Sequence, residues 1–109
     1  MSLYCDVFNE IAKEIYEKYG FEVFRNFYFK KISGYISYNS KIIEINERDD
    51  KLALFILCHE YGHLLIHLNN ENDDEELVDF YGFLIYRRFA KNLTFFDWVR
   101  LTKLRCVYD

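Results

Sequence analysis

The sequence predicts an α+β fold: an N-terminal helix, a small antiparallel sheet, then a run of helices. Three observations predict it. Apolar residues recur at three-to-four spacing over residues 5–19. They alternate with polar residues between 21 and 46. From Asp50 to Leu68 the pattern becomes helical again and apolar almost all round, as in a central buried helix. No Pro/Gly/Ser-rich linker, repeat or low-complexity tract divides the 109 residues, so residues 1–109 read as one domain.

The first helix places Val7, Phe8, Ile11, Ala12, Ile15 and Tyr19 on one face, and Gly20 is its expected terminator. Phe21 and Val23, then Phe27 and Phe29, alternate as strands do. Gly34 to Tyr38 and Lys41 to Asn46 form a predicted hairpin turning at Asn39-Ser40, with Ile43 and Ile45 sharing one face. After the central helix, Asn69-Asn70-Glu71-Asn72 is a break. Asp73 is the expected cap of a third helix to about Lys91, with Glu76 completing a capping box. Asn92 or Thr94 would cap a last helix through about Arg105. The complete absence of proline is consistent with uninterrupted helices.

Composition excludes several classes. With 51% hydrophobic residues, eleven Phe, ten Tyr and one Trp, the chain is not disordered. Its net charge of −4 gives no overall field for nucleic acid, which is not an expected partner. The basic residues Arg87, Arg88, Lys91, Arg100, Lys103 and Arg105 read as a solvated helix face, and DNA binding through them is the weaker reading. Cys5, Cys58 and Cys106 form no Cys-x-x-Cys pair, which argues for free thiols in a reducing cytoplasm. The Met1–Asp6 start has no secretory pattern, and the seven-residue apolar run Leu52 to Cys58 is too short to span a bilayer. No membrane association is expected.

Chemistry concentrates at His59-Glu60-Tyr61-Gly62-His63. Residues four apart on a helix stand about 6 Å apart along the axis and roughly 40° around it. Two imidazoles at that spacing can grip one zinc ion, with Glu60 in reach of its water as general base. A catalytic zinc takes three protein ligands and keeps one position open. Candidates for the third are His67, Glu71 and the carboxylates after the break. His59, His63 and His67 on one straight helix would spread over about 12 Å, too long for one centre. Glu75 is better placed, on a helix crossing the metal helix; Glu76 is its rival but points about 100° away. Asp79, one turn on, can accept the other N–H of a ligand histidine. Gly82 would let the two helices approach closely. Tyr35, Tyr38, Tyr61 and Tyr86 are candidate oxyanion donors, each with packing as the simpler role. Cys58 points off the metal face and reads as core.

Together these residues resemble a known family. The ImmA/IrrE-type zincin metallopeptidases carry His-Glu-x-Gly-His-Leu-Leu-x-His followed by Glu-x-x-Ala-(Asp/Asn)-x-Phe-Ala. Here His59 to His67 reads HEYGHLLIH, and Glu75-Glu76-Leu77-Val78-Asp79-Phe80-Tyr81-Gly82 follows, departing at Val78, Tyr81 and Gly82. The resemblance covers roughly residues 33 to 90. It implies a minimal zincin-like domain with His59, His63 and Glu75 as zinc ligands, Glu60 as general base and Asp79 behind a ligand. It also implies a cytoplasmic protein of a phage or mobile element, paired with a helix-turn-helix repressor that some such proteins cleave. The leading expectation is therefore a zinc-dependent endopeptidase acting on a protein partner. The alternative is a non-proteolytic module of the same fold that sequesters a transcriptional regulator.

Overall fold

The computed structural model describes residues 3–26, 33–72 and 74–90. Its elements are α1 (Leu3–Tyr19), β1 (Glu22–Arg25), β2 (Gly34–Ser37), β3 (Ile42–Ile45), α2 (Asp50–Leu68) and α3 (Glu75–Phe89). The fold is α+β. α2 runs through the middle and packs on α1, α3, β2 and β3, while α1 also covers β1.

The apolar stripe of α1 buries Val7, Phe8, Ile11 and Ile15, each side chain contributing about 1.5–3 kcal/mol on leaving water. Gly20 ends the helix at φ 75°, and its N–H donates to the Tyr16 carbonyl at 2.9 Å. That left-handed conformation favours glycine at a helix C-terminus.

The sheet is mixed, not purely antiparallel as the alternation predicts. Its order is β1-β3-β2, with β2 antiparallel and β1 parallel to β3. The physical reason is that a period of two decides which face each residue takes but not which strand it pairs with. β3 carries Ile43 and Ile45 fully buried and so takes the centre, where it has a neighbour on each side. The β2–β3 turn spans Tyr38 to Lys41, one residue wider on each side than expected, with Lys41 at φ 54°. The expected strand residues Phe27 and Phe29 lie outside the described residues.

Arg25 ties the sheet to the start of α2. Its guanidinium donates to the carbonyls of Glu47 and Arg48 at 3.0 and 2.8 Å and pairs with Asp50 at 2.8 Å. Asp49 caps α2 by accepting from the Leu52 N–H at 2.9 Å. Every residue from Ala53 to Gly62 is buried, consistent with a helix apolar nearly all round. The following turn uses Asn70 at φ 55°.

The cap of α3 is Asp74, whose side chain accepts from the Glu76 N–H at 3.0 Å. The expected cap, Asp73, lies outside the described residues, as does the predicted helix after Asn92. With Asp74 as the cap, Glu76 falls one residue too early to close a capping box. No helix among the described residues is long and apolar enough to cross a membrane.

Candidate metal centre

His59 and His63 sit one turn apart on α2, His59 in its buried middle and His63 partly buried at the edge of it. Their rings meet edge to face, with the two Nε2 atoms 3.1 Å apart. Glu75 is the first residue of α3, so the direction of that helix decides where its carboxylate lies. One oxygen of Glu75 is 3.8 Å from His59 Nε2 and the other 3.8 Å from His63 Nε2. Glu60 is buried beside His59, and one of its carboxylate oxygens lies within 4.8 Å of both imidazoles.

α3 reaches this position because Gly62 lets it. A Cβ at Gly62 would stand 2.7 Å from the Val78 carbonyl and 3.4 Å from the Gly82 amide. The close helix crossing expected at Gly82 involves Gly62 as well, on α2 itself. A glycine between two ligand positions was the available signal.

Asp79 lies one turn beyond Glu75, with Oδ1 3.4 Å from His59 Nδ1. Both atoms are buried, and neither has a hydrogen-bond partner. With Nε2 turned toward His63 and Glu75, the ring proton of His59 belongs on Nδ1, facing Asp79. Carboxylates in that position fix the tautomer of metal-ligating histidines.

The donor set fits zinc. Nitrogen and oxygen ligands about 2.0–2.1 Å from a tetrahedral ion are about 3.3–3.4 Å from one another. The observed 3.1 and 3.8 Å separations bracket that value. Among the described residues, groups of three potential ligands form only at His59–Glu60–His63 and His59–Glu75–Asp79.

None of the rival ligands belongs to either group. The exposed ring of His67 stacks on Tyr38, with centroids 3.9 Å apart. Glu71 accepts from the Tyr81 hydroxyl at 2.7 Å, and that bond to an anion raises the Tyr81 phenol above its ordinary value. Glu76 is exposed at the start of α3.

The four tyrosines considered as oxyanion donors have other surroundings. Tyr61 donates to Glu14 at 2.8 Å and Tyr38 to the His63 carbonyl at 3.3 Å. Tyr86 is buried in the core. Tyr35 alternates with Gly34 and Ile36 and so stands on the sheet face away from α2. Cys58 is fully buried, and burial pushes its thiol far up, partly opposed by Arg88, which makes it inert rather than a nucleophile.

Behind the centre, Glu14 of α1 joins three helices. Arg88 of α3 grips it through two hydrogen bonds, at 3.0 and 2.5 Å, and Tyr61 of α2 supplies the third. Sequence reading found neither this network nor the Arg25 clamp, because both pair residues far apart in the chain. No family model, curated protein or solved structure matches this chain.

Proposed function

We propose that this chain is a zinc-dependent endopeptidase of the ImmA/IrrE type that cleaves a protein partner. A helix-turn-helix repressor of a phage or mobile element is the substrate class that resemblance favours, and a reducing cytoplasm suits the free thiols of Cys5 and Cys58. One observation carries the reading: Glu75, from a second helix, turns an oxygen toward each imidazole of the His59/His63 pair.

His59, His63 and Glu75 would hold the ion. Zinc supplies a Lewis acid that brings the pKa of water toward 7 and polarises a carbonyl. Glu60, buried and beside the imidazoles, accepts the proton of the attacking water and passes it to the departing amine. Asp79 keeps the His59 proton on Nδ1, leaving Nε2 as the electron-pair donor. Among the described residues β2 is an edge strand, and it lies against α2 beside Glu60, with the Gly34 Cβ position 3.5 Å from Glu60 Cγ. It suits an extended substrate backbone by strand addition.

The test is incubation of zinc-loaded protein with the regulator encoded in the adjacent reading frame. Wild type should cut it, and Glu60→Gln should cut about 10²–10⁴-fold more slowly while keeping its zinc. Equal cleavage by the two proteins overturns the proposal. Biological activity that survives Glu60→Gln makes sequestration the function.

A further inference from the structure

β2 is held against α2 at both ends. At its start, a Cβ on Gly34 would overlap Ile56 Cγ2, so the strand backbone lies directly on the helix. At its far end, Tyr38 follows the last strand residue and reaches α2 in two ways. Its hydroxyl donates to the His63 carbonyl at 3.3 Å, and its ring lies flat on the His67 imidazole at 3.9 Å and 19°. Phe21 supports the same ring edge-on at 6.3 Å. The two attachments flank the centre: Ile56 lies one turn before Glu60, while His63 and His67 lie at and beyond the second imidazole.

We propose that Tyr38 and His67 form a latch that sets the height of β2 over the centre, making both of them positioning residues for the substrate backbone. This rests on the edge-strand part of the peptidase reading. The latch gives His67 a purpose outside the metal shell: it presents a flat ring one turn beyond His63. A flat stack fixes the strand end in two dimensions, and the hydroxyl bond fixes it along the helix. Without the latch, β2 would keep its pairing with β3 and the packing of Ile36, and would lose the contacts that Tyr38 makes to α2. An incoming backbone would then meet an edge whose far end is held less firmly relative to the ligands.

The experiment compares wild type with His67→Ala, His67→Phe and Tyr38→Phe, all as full-length zinc-loaded protein. Amide hydrogen exchange across Gly34–Ser37 and Ile42–Ile45 is the first readout. His67→Ala should speed exchange in β2 by about two- to ten-fold, the range expected for one aromatic pair. His67→Phe, which restores a flat ring, should return it to near wild type, and amides in the middle of α2 should not change. The second readout is the absorption spectrum of the cobalt-substituted protein, which should be the same in all four. The third, on the adjacent-frame regulator, is a rise in KM for His67→Ala with kcat within about two-fold, reversed in His67→Phe.

Unchanged β2 exchange in His67→Ala, or no recovery in His67→Phe, overturns the latch. An altered cobalt spectrum does so too, because His67 would then belong to the metal shell. If wild type cleaves nothing, the peptidase reading falls, and the exchange and cobalt readouts still decide whether the latch exists.

Discussion

Glu60 and Tyr61 are neighbours in sequence, yet they serve different sides of α2, about 100° apart around the helix, and the two sides are built on different principles. On the Tyr61 side, Glu14 and Arg88 answer each other's charge. Glu14 accepts from Tyr61 and from both ends of the Arg88 guanidinium at 2.5–3.0 Å, with Lys18 a further 3.4 Å away. On the Glu60 side, one buried pair of polar atoms is left open beside a cluster of imidazoles and carboxylates. Two imidazoles and Glu75 stand 3.1 to 3.8 Å apart, and His59 Nδ1 and Asp79 Oδ1 face each other at 3.4 Å with no hydrogen bond made. Buried polar atoms left in that state cost stability unless something satisfies them. The Tyr61 side therefore holds the helices together, and the Glu60 side gathers groups that could hold a metal ion.

The largest consequence of this contrast concerns metal. Glu75→Ala removes a carboxylate with one oxygen 3.8 Å from each imidazole, and zinc affinity measured by chelator competition should fall by more than about 100-fold. Asp79→Ala should cost about 10–100-fold, the usual effect of losing the group behind a ligand histidine. Thermal stability without metal should fall little in either variant, since neither side chain is part of the helix-binding network. A Glu75→Ala protein that binds zinc as tightly as wild type would show that the ion sits elsewhere.

The next effect joins the two sides. Gly62→Ala places a methyl group 2.7 Å from the Val78 carbonyl, and backbone can yield only by moving α3 outward. We expect a loss of about 1–3 kcal/mol in denaturant unfolding. The same movement should carry Glu75 away from His59 and His63, so zinc affinity falls as well. Loss of stability with zinc affinity unchanged would mean that Glu75 is not positioned by this crossing.

How much of this was legible in the sequence follows from the range of the interactions. His59, Glu60 and His63 repeat along one helix, and their face is set by helical geometry alone. Glu75 and Asp79 were readable as a pair one turn apart on the next helix. The strands were readable by alternation, but the parallel pairing of β1 with β3 was not, because Val23 faces the core whichever neighbour it has. The α3 cap moved from Asp73 to Asp74 because adjacent aspartates offer equal capping chemistry. Glu14, Arg25 and Arg88 gave no signal. Each is a charge on an amphipathic or edge element, and its partner lies 22 to 74 residues away.

A smaller effect isolates the Tyr61 side. Tyr61→Phe deletes a hydroxyl from a buried ring that also meets Tyr19 edge-on at 6.0 Å. Glu14 keeps Arg88, so the expected loss is about 1–2 kcal/mol. Zinc affinity should stay within about two-fold of wild type. A larger fall in zinc affinity would show that the two sides are coupled through α2 itself.

The smallest effect is a dependence on pH. Burial acts to raise the Glu14 carboxyl, but hydrogen bonds from Tyr61 and Arg88 and the charges of Arg88 and Lys18 outweigh it, and the group sits below the ordinary carboxylate value. A carboxyl whose pKa is lower folded than unfolded binds its proton more tightly in the unfolded chain. Its contribution is therefore complete above the unfolded value near 4.5 and is lost as pH falls through the folded one. Metal-free protein should lose stability on acidification below about pH 5, and Glu14→Gln should lose less over the same interval while starting from a lower value at neutral pH. Metal-free samples are needed because protons also compete with zinc for His59 and His63. Parallel stability curves for wild type and Glu14→Gln between pH 6 and 3, roughly the window in which carboxylates titrate, would show that the acid sensitivity arises in other carboxylates. The three-helix junction would then hold by packing rather than by its charges.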